Sequence, residues 1–161
     1  MDFITAVKTV FRKYFVFSGR ARRSEFWWWM LFTFLASIIL SILDIVLFDI
    51  TIQQYSPLNN LFSLLTLIPT ISVTARRLHD INKSGWWQLL PFIPGILIGV
   101  GVVAMATSES MGAMAIIAII GALALLVSVI VLIVWWATDG HKGDNRFGHS
   151  PKYGGQATAF D

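Results

Sequence analysis

Apolar residues run through this chain in four long blocks, 26–48, 58–74, 86–106 and 112–137, separated by short polar segments. The first block carries one charge, Asp44, near its far end, and the other three carry none. A helix crossing the hydrocarbon core needs about 20 mostly apolar residues, with about 17 to 25 tolerated. Each block therefore predicts a membrane-spanning helix. Pro69 interrupts the second block, and Pro91 and Pro94 fall early in the third, where they predict loosened first turns or an interfacial lead-in. No stretch alternates apolar and polar residues as a barrel strand would. Ahead of the first block, Phe3, Val7, Val10, Phe11 and Tyr14 recur at helical spacing, with Lys8, Arg12 and Lys13 among them. Over 1–17 this predicts a short amphipathic helix in the headgroup region, or else one packed on the protein's own loops.

The predicted fold is thus an all-α membrane protein. It is a four-transmembrane-helix bundle with a short N-terminal amphipathic interfacial helix, forming one domain over 1–161 with a tail at 138–161. Composition agrees: 56% of the 161 residues are hydrophobic and 13% charged, against about 25% charged in an ordinary soluble domain. The absence of cysteine excludes disulfides, thiolate metal sites and thiol nucleophiles. The basic opening and long first apolar run do not fit a cleaved signal peptide.

Charge supplies the orientation. All twelve Lys and Arg residues lie in three segments: Lys8, Arg12, Lys13, Arg20, Arg22 and Arg23; Arg76, Arg77 and Lys83; and Lys142, Arg146 and Lys152. The connections near 49–57 and 107–111 hold none and carry Asp49 and Glu109. Cytoplasmic loops collect basic residues, so both termini and the middle loop are expected in the cytoplasm. The seven tryptophans, Trp27–Trp29, Trp86–Trp87 and Trp135–Trp136, all fall at that same interface.

Within the spans, Thr33, Ser37, Ser41 and Asp44 share one helix face, as do Asn59, Ser63, Thr66, Thr70 and Thr74 on the next. Gly95 and Gly99, and Ala118 and Ala122, are small-residue pairs that permit close helix contact. The two stripes suit hydroxyl-sealed packing. Alternatively they line a hydrated crevice with Asp44 at its mouth, since an acid inside a membrane suggests function.

Three segments at the basic interface carry the most distinctive sequence. They are Phe17-Ser18-Gly19-Arg20-Ala21-Arg22-Arg23-Ser24-Glu25-Phe26-Trp27, then Ala75-Arg76-Arg77-Leu78-His79-Asp80 with Ser84-Gly85-Trp86-Trp87, and Asp139-Gly140 with Gly143-Asp144-Asn145-Arg146-Phe147-Gly148. In this order they resemble the hallmarks of the DUF805 family of bacterial inner-membrane proteins, over about Phe17 to Pro151. Asn82 stands where that family usually has glycine, which suits a turn needing a left-handed residue. His149 stands where proline is usual, without that residue's fixed turn. The resemblance implies a bacterial inner-membrane location and supplies no activity.

Three functions fit these residues. The first is a structural clasp of paired charges, drawing on Arg22, Glu25, His79, Asp80, Asp139, Asp144, Asn145 and Arg146. Local pairs within it would be Arg77 or Arg76 with Asp80, and Arg22 with Glu25. The second is a pocket for anionic headgroups or phosphate, with Arg20, Arg23, Arg76 and Arg77 as ligands and Trp86 and Trp87 as walls. The third is an oligomeric channel or proton-linked transporter using Asp44 and His79, with Ser37, Ser41, Thr66 and Thr70 as its intramembrane polar residues. Its self-contact would run through Gly95 and Gly99. No catalytic, metal or cofactor motif is present, so the chain reads as non-enzymatic, with no catalytic residue and no metal site. The basic residues lack a reading helix or sheet for nucleic acid. The expected partners are the bilayer and its anionic lipids, a second copy of the chain, or a larger membrane protein.

Overall fold

The computed structural model describes residues 1–48, 56–107 and 111–153. Asp49 and Glu109, and the last eight positions of the tail, lie outside the described residues. Five α-helices follow in order: α1 Phe3–Arg12, α2 Arg23–Phe48, α3 Pro57–Asp80, α4 Phe92–Thr107 and α5 Met111–Ala137. A 3-10 helix, Gly85–Leu89, leads into α4. Four helices are long and apolar enough to cross a membrane, and among the described residues none forms a strand. The prolines act as their chemistry requires. Pro91 and Pro94 delay α4, so that Trp86 and Trp87 sit in the 3-10 lead-in.

α3 continues six residues beyond the predicted end at Thr74. Hydropathy stops there, but Arg76, Arg77 and Asp80 are buried and paired, so their charges do not end the helix. A complete Schellman cap closes it: the amides of Asn82 and Lys83 donate to the carbonyls of His79 and Leu78, both at 2.9 Å. Asn82 takes φ 60°, the left-handed conformation expected at that position.

α2 and α3 are joined at both ends. Asp44 is fully buried and accepts hydrogen bonds from the amides of Leu58 and Asn59, each at 3.0 Å. It therefore caps α3 from the neighbouring helix, in place of Ser56, whose side chain makes no capping bond. Asn59 Nδ2 donates to Ser41 Oγ at 3.2 Å. At the other end, Trp29 Nε1 donates to Thr70 Oγ1 at 2.9 Å. Thr33, Ser37, Ser63, Thr66 and Thr70 line a groove of about 590 Å³ between these two ties. Asp44 is no part of its lining, so the crevice with that carboxylate at its mouth does not form. The free amides of a helix start hold Asp44 more firmly than a groove would.

α4 packs chiefly on α5. A Cβ at Gly101 would come 3.1 Å from the Ala118 amide, and one at Gly121 would come 2.9 Å from Ile98 Cγ1. These glycines, with Ala118, make the close helix contact. A Cβ at Gly95 or Gly99 would meet nothing within 4 Å, so those two glycines take no part in it. The α4–α5 pair meets α2 and α3 where Trp136 packs on Phe26, with ring centroids 5.0 Å apart.

α1 begins at Asp2, whose carboxylate accepts from the Thr5 amide at 3.2 Å. Hydrogen bonding from the Thr5 side chain, and then from the Thr5 amide, lowers the Asp2 carboxyl pKa from its ordinary value. Ala6 and Val10 are buried, and Phe11 meets Trp29 edge to face at 5.1 Å. The helix thus packs on the protein, while Ile4 on it and Phe15 just beyond it stay exposed and Phe11 is only partly covered by Trp29. Tyr14, two residues past the helix, donates its hydroxyl to the Leu65 carbonyl at 2.6 Å. Pro69 has no N–H for that carbonyl, which lies four residues earlier in α3. The tyrosine supplies the missing donor from another segment.

Candidate functional site

The three distinctive segments converge at one end of the bundle, around the last turn of α3. Arg76, Arg77 and Asp80 project from that turn, Arg20 comes from the chain before α2, and Glu25 comes from the first turn of α2. All five are buried. Asp80 divides its carboxylate: Oδ1 meets Arg20 Nε at 2.9 Å and Oδ2 meets Arg77 Nη1 at 2.5 Å. Glu25 Oε1 takes Arg76 Nη1 at 2.5 Å. Buried charges persist only when paired and hydrogen-bonded.

The guanidinium forks also gather backbone from the segment after α5. Arg20 donates to the carbonyls of Gly143 at 2.8 Å and His141 at 2.5 Å. Arg77 donates to the carbonyls of Trp136 at 3.0 Å and Thr138. Arginine suits this better than lysine, because its five donors are spread in a fixed plane while an ammonium concentrates three at one point. In return, the Asp80 carbonyl accepts from the His141 amide and the Arg76 carbonyl from the Ala21 amide, each at 2.9 Å. The chain comes so close at Gly140 that a Cβ there would overlap Asp80 Oδ2.

Asn145 ties the end of this segment down, its Nδ2 donating to the His79 carbonyl at 2.9 Å. His79 directs Nδ1 at the Gly19 carbonyl, 3.0 Å away, and stacks on Phe147 with ring centroids 3.9 Å apart.

This geometry sorts the expected residues differently from their spacing. Arg77 pairs with Asp80 as predicted, but Arg76 pairs with Glu25 and not with Asp80. Arg22 and Glu25 do not meet; Arg22 Nε donates instead to the Pro151 carbonyl at 2.5 Å. Arg20, Arg76 and Arg77 do not gather with Trp86 and Trp87 around one open anion pocket. All three are buried, and Arg20 and Arg77 are engaged by carboxylate and carbonyls. Arg76 spends only Nη1 on Glu25, while its Nε and Nη2 are buried without a hydrogen-bond partner among the described residues. Trp86 is 78% exposed, and Trp87 packs on Trp135 at 5.6 Å. Arg23 remains near the surface, bound to Asp139 at 2.7 Å. Asp144 pairs with His149 at 2.6 Å, and Arg146 donates to the Asn82 carbonyl at 3.3 Å. Asp44 and His79 stand at opposite ends of α3, about 30 Å apart at 1.5 Å per residue, so they make no direct contact. Among the described residues no three His, Asp or Glu side chains cluster as metal ligands.

Beside the clasp is a cavity of about 360 Å³, lined by Arg22, Arg23, Asp139, Ser150, Lys152 and Tyr153, among others. Sequence spacing does not reveal it, since it brings the start of α2 against residues more than a hundred positions later.

Comparison with known proteins agrees with a membrane protein. Residues 14–149 match the family model described as "Protein of unknown function (DUF805)". The chain is 30% identical to the inner membrane protein YhaI of Escherichia coli strain K12 over 91% of its own length and 94% of that protein. It is 29% identical to the inner membrane protein YhaH of the same strain, over 89% and 93%. It also shares 35% identity with the uncharacterized protein YiiR of that strain, over 52% and 54%. No solved structure matches. The family match spans all three segments of the clasp, and the chain belongs to the DUF805 family of membrane proteins.

Proposed function

We propose that this protein is a non-catalytic binding module of the bacterial inner membrane, holding anionic lipid headgroups at its basic end, and that this end faces the cytoplasm. The observation that carries the reading is the excess of exposed cations over exposed acids at this end. Lys8, Arg12, Arg22, Lys142, Arg146 and Lys152 are exposed at this end, against the exposed acids Asp2, Asp139 and Asp144. Arg22 and Lys152 border the 360 Å³ cavity with Arg23. Arg22 has committed only its Nε, while Lys152 Nζ and Arg23 share Asp139 Oδ1 at 3.9 and 2.7 Å, leaving three cations around one carboxylate there. A headgroup phosphate fits there, since a guanidinium offers paired donors and an ammonium offers a mobile charge. The exposed Ile4, Phe11 and Phe15 of the N-terminal segment suit contact with acyl chains next to that site. Orientation rests on the confinement of every Lys and Arg to segments that meet at this end.

The test is lipid retention on protein extracted gently and read by native mass spectrometry. Wild type should keep phosphatidylglycerol in preference to phosphatidylcholine, and Arg22→Gln with Lys152→Gln should abolish that preference while leaving the fold intact. Equal retention of the two lipids by wild type would overturn the reading. A cytoplasm-only reporter fused to the C-terminus should be active; an inactive one would refute the orientation.

A further inference from the structure

A second cavity, of about 520 Å³, opens on a different side of the basic end, and none of its residues belongs to the cavity just described. Its walls come from α3, the 3-10 helix and the segment after α5. Ile71, Ala75 and His79 of α3 recur every four residues and share one face along it. The cavity therefore runs along the helix axis for about 12 Å, at 1.5 Å per residue. Its composition changes along that line. At the inner end are Ile71 and Leu89; at the outer end are His79, Ser84 and Phe147, with Trp86 on the wall. No carboxylate lines it.

The imidazole of His79 has a defined tautomer there. Nδ1 faces the Gly19 carbonyl at 3.0 Å. A carbonyl can only accept, so in the neutral ring Nδ1 carries the proton and Nε2 keeps its lone pair. Nε2 points toward Gly85, where a Cβ would approach it to 3.4 Å. Gly85 lines the same cavity. The site thus offers a hydrogen-bond acceptor beside aromatic faces, with an apolar floor beneath. Arg146 is the nearest cation outside the lining: its guanidinium carbon lies 4.7 Å from the centroid of the Phe147 ring, which does line the cavity.

From this arrangement we infer a binding site for an aminophospholipid, a zwitterionic lipid whose headgroup ends in an ammonium carrying N–H donors. The ammonium donates to His79 Nε2 and lies against the open face of Trp86, since the Phe147 ring already carries His79 and Arg146. The phosphate faces Arg146, and the first methylenes of the chains run inward over Ala75, Ile71 and Leu89. A phosphatidylcholine headgroup has the same charges and the aromatic attraction but no N–H, so it leaves the His79 acceptor unsatisfied. The site therefore discriminates by hydrogen bonding rather than by charge, which sets it apart from the anion-binding cavity proposed above.

A graded headgroup series tests this on the wild-type protein. Purified protein is incubated with phosphatidylethanolamine, its N-methyl and N,N-dimethyl derivatives, and phosphatidylcholine of identical chains, and bound lipid is counted by native mass spectrometry. Retention should hold through the dimethyl lipid and fall about tenfold at the choline, where the last N–H disappears, as loss of a charged hydrogen bond requires. A smooth decline with each added methyl would report size alone and overturn the inference, as would equal retention throughout. His79→Asn keeps a donor for the Gly19 carbonyl while removing Nε2. It should fold normally and lose the step at choline; a folded His79→Asn protein that keeps the step refutes the role of Nε2. Arg22→Gln with Lys152→Gln should leave the step in place, and its disappearance in that variant would assign the discrimination to the other cavity.

Discussion

Tyr14→Phe tests whether a tyrosine on one segment completes the hydrogen bonding of a helix broken by proline. The Leu65 carbonyl lies four residues before Pro69, which has no N–H to give it, and the Tyr14 hydroxyl donates to it at 2.6 Å. Leu65 faces outward, where acyl chains offer no replacement donor. Removing one hydroxyl should therefore cost about 1–3 kcal/mol, the penalty for leaving an acceptor unsatisfied away from water. The decisive comparison is Tyr14→Phe in a Pro69→Ala background. Alanine restores the amide, the carbonyl regains its partner within α3, and the hydroxyl becomes dispensable. The two substitutions should couple by about 1 kcal/mol or more, well above the additivity error of about 0.5 kcal/mol. Any packing loss from deleting the buried proline ring enters both arms of the cycle and cancels. Unfolding in mixed detergent micelles, followed by tryptophan fluorescence, measures all four free energies. An equal cost for Tyr14→Phe with and without Pro69 would refute the reasoning.

Three further outcomes follow from the geometry. Asp44→Ala should destabilise the protein by about 1–2 kcal/mol through loss of the α3 cap, with Asp44→Asn milder because it keeps one acceptor, as read in the same unfolding assay. Gly140→Ala drives a methyl group into the Asp80 carboxylate and should cost about 3–5 kcal/mol, as does breaking a buried ion pair; the folded fraction in size-exclusion chromatography reports it. Asn82→Gly should be nearly neutral, whereas Asn82→Ala should cost about 1–2 kcal/mol because φ is 60°; thermal unfolding compares the two.

The spans were legible because long apolar runs have one explanation. Block 112–137 differs from α5 by a single residue at its start. Hydropathy ends α3 too early because it treats every arginine as solvated, while Arg76 and Arg77 are among the most buried side chains of the protein. Pairing follows the same division. Arg77 with Asp80 is a three-residue step on one helix, which spacing rules reach. Arg76 with Glu25 spans 51 positions, and nothing local encodes it. Asp44 stands out in the sequence as an intramembrane acid, but its partners are amides, and amides leave no trace in a sequence. The carbonyls held by Arg20 and Arg77 are hidden for the same reason. Gly140 has a visible signal, a glycine between Asp139 and His141, but not its cause, the Asp80 carboxylate against it.

The reach of Arg20 and Arg77 to carbonyls beyond Val134 has a consequence for how the chain is made. Synthesis runs from the N-terminus, so α1, α2 and α3 are complete while those carbonyls do not yet exist. Until residues 136–148 emerge, two guanidiniums at the end of α3 lack most of their acceptors, and water must hydrate what the finished protein buries. Finishing the polypeptide and sealing this end are one event. A chain stopped before Thr138 leaves these arginines without the carbonyls that cover them in the finished protein. By the same logic, separately expressed halves cut between α3 and α4 should find each other through this seam, the second half supplying the carbonyls that the first half lacks.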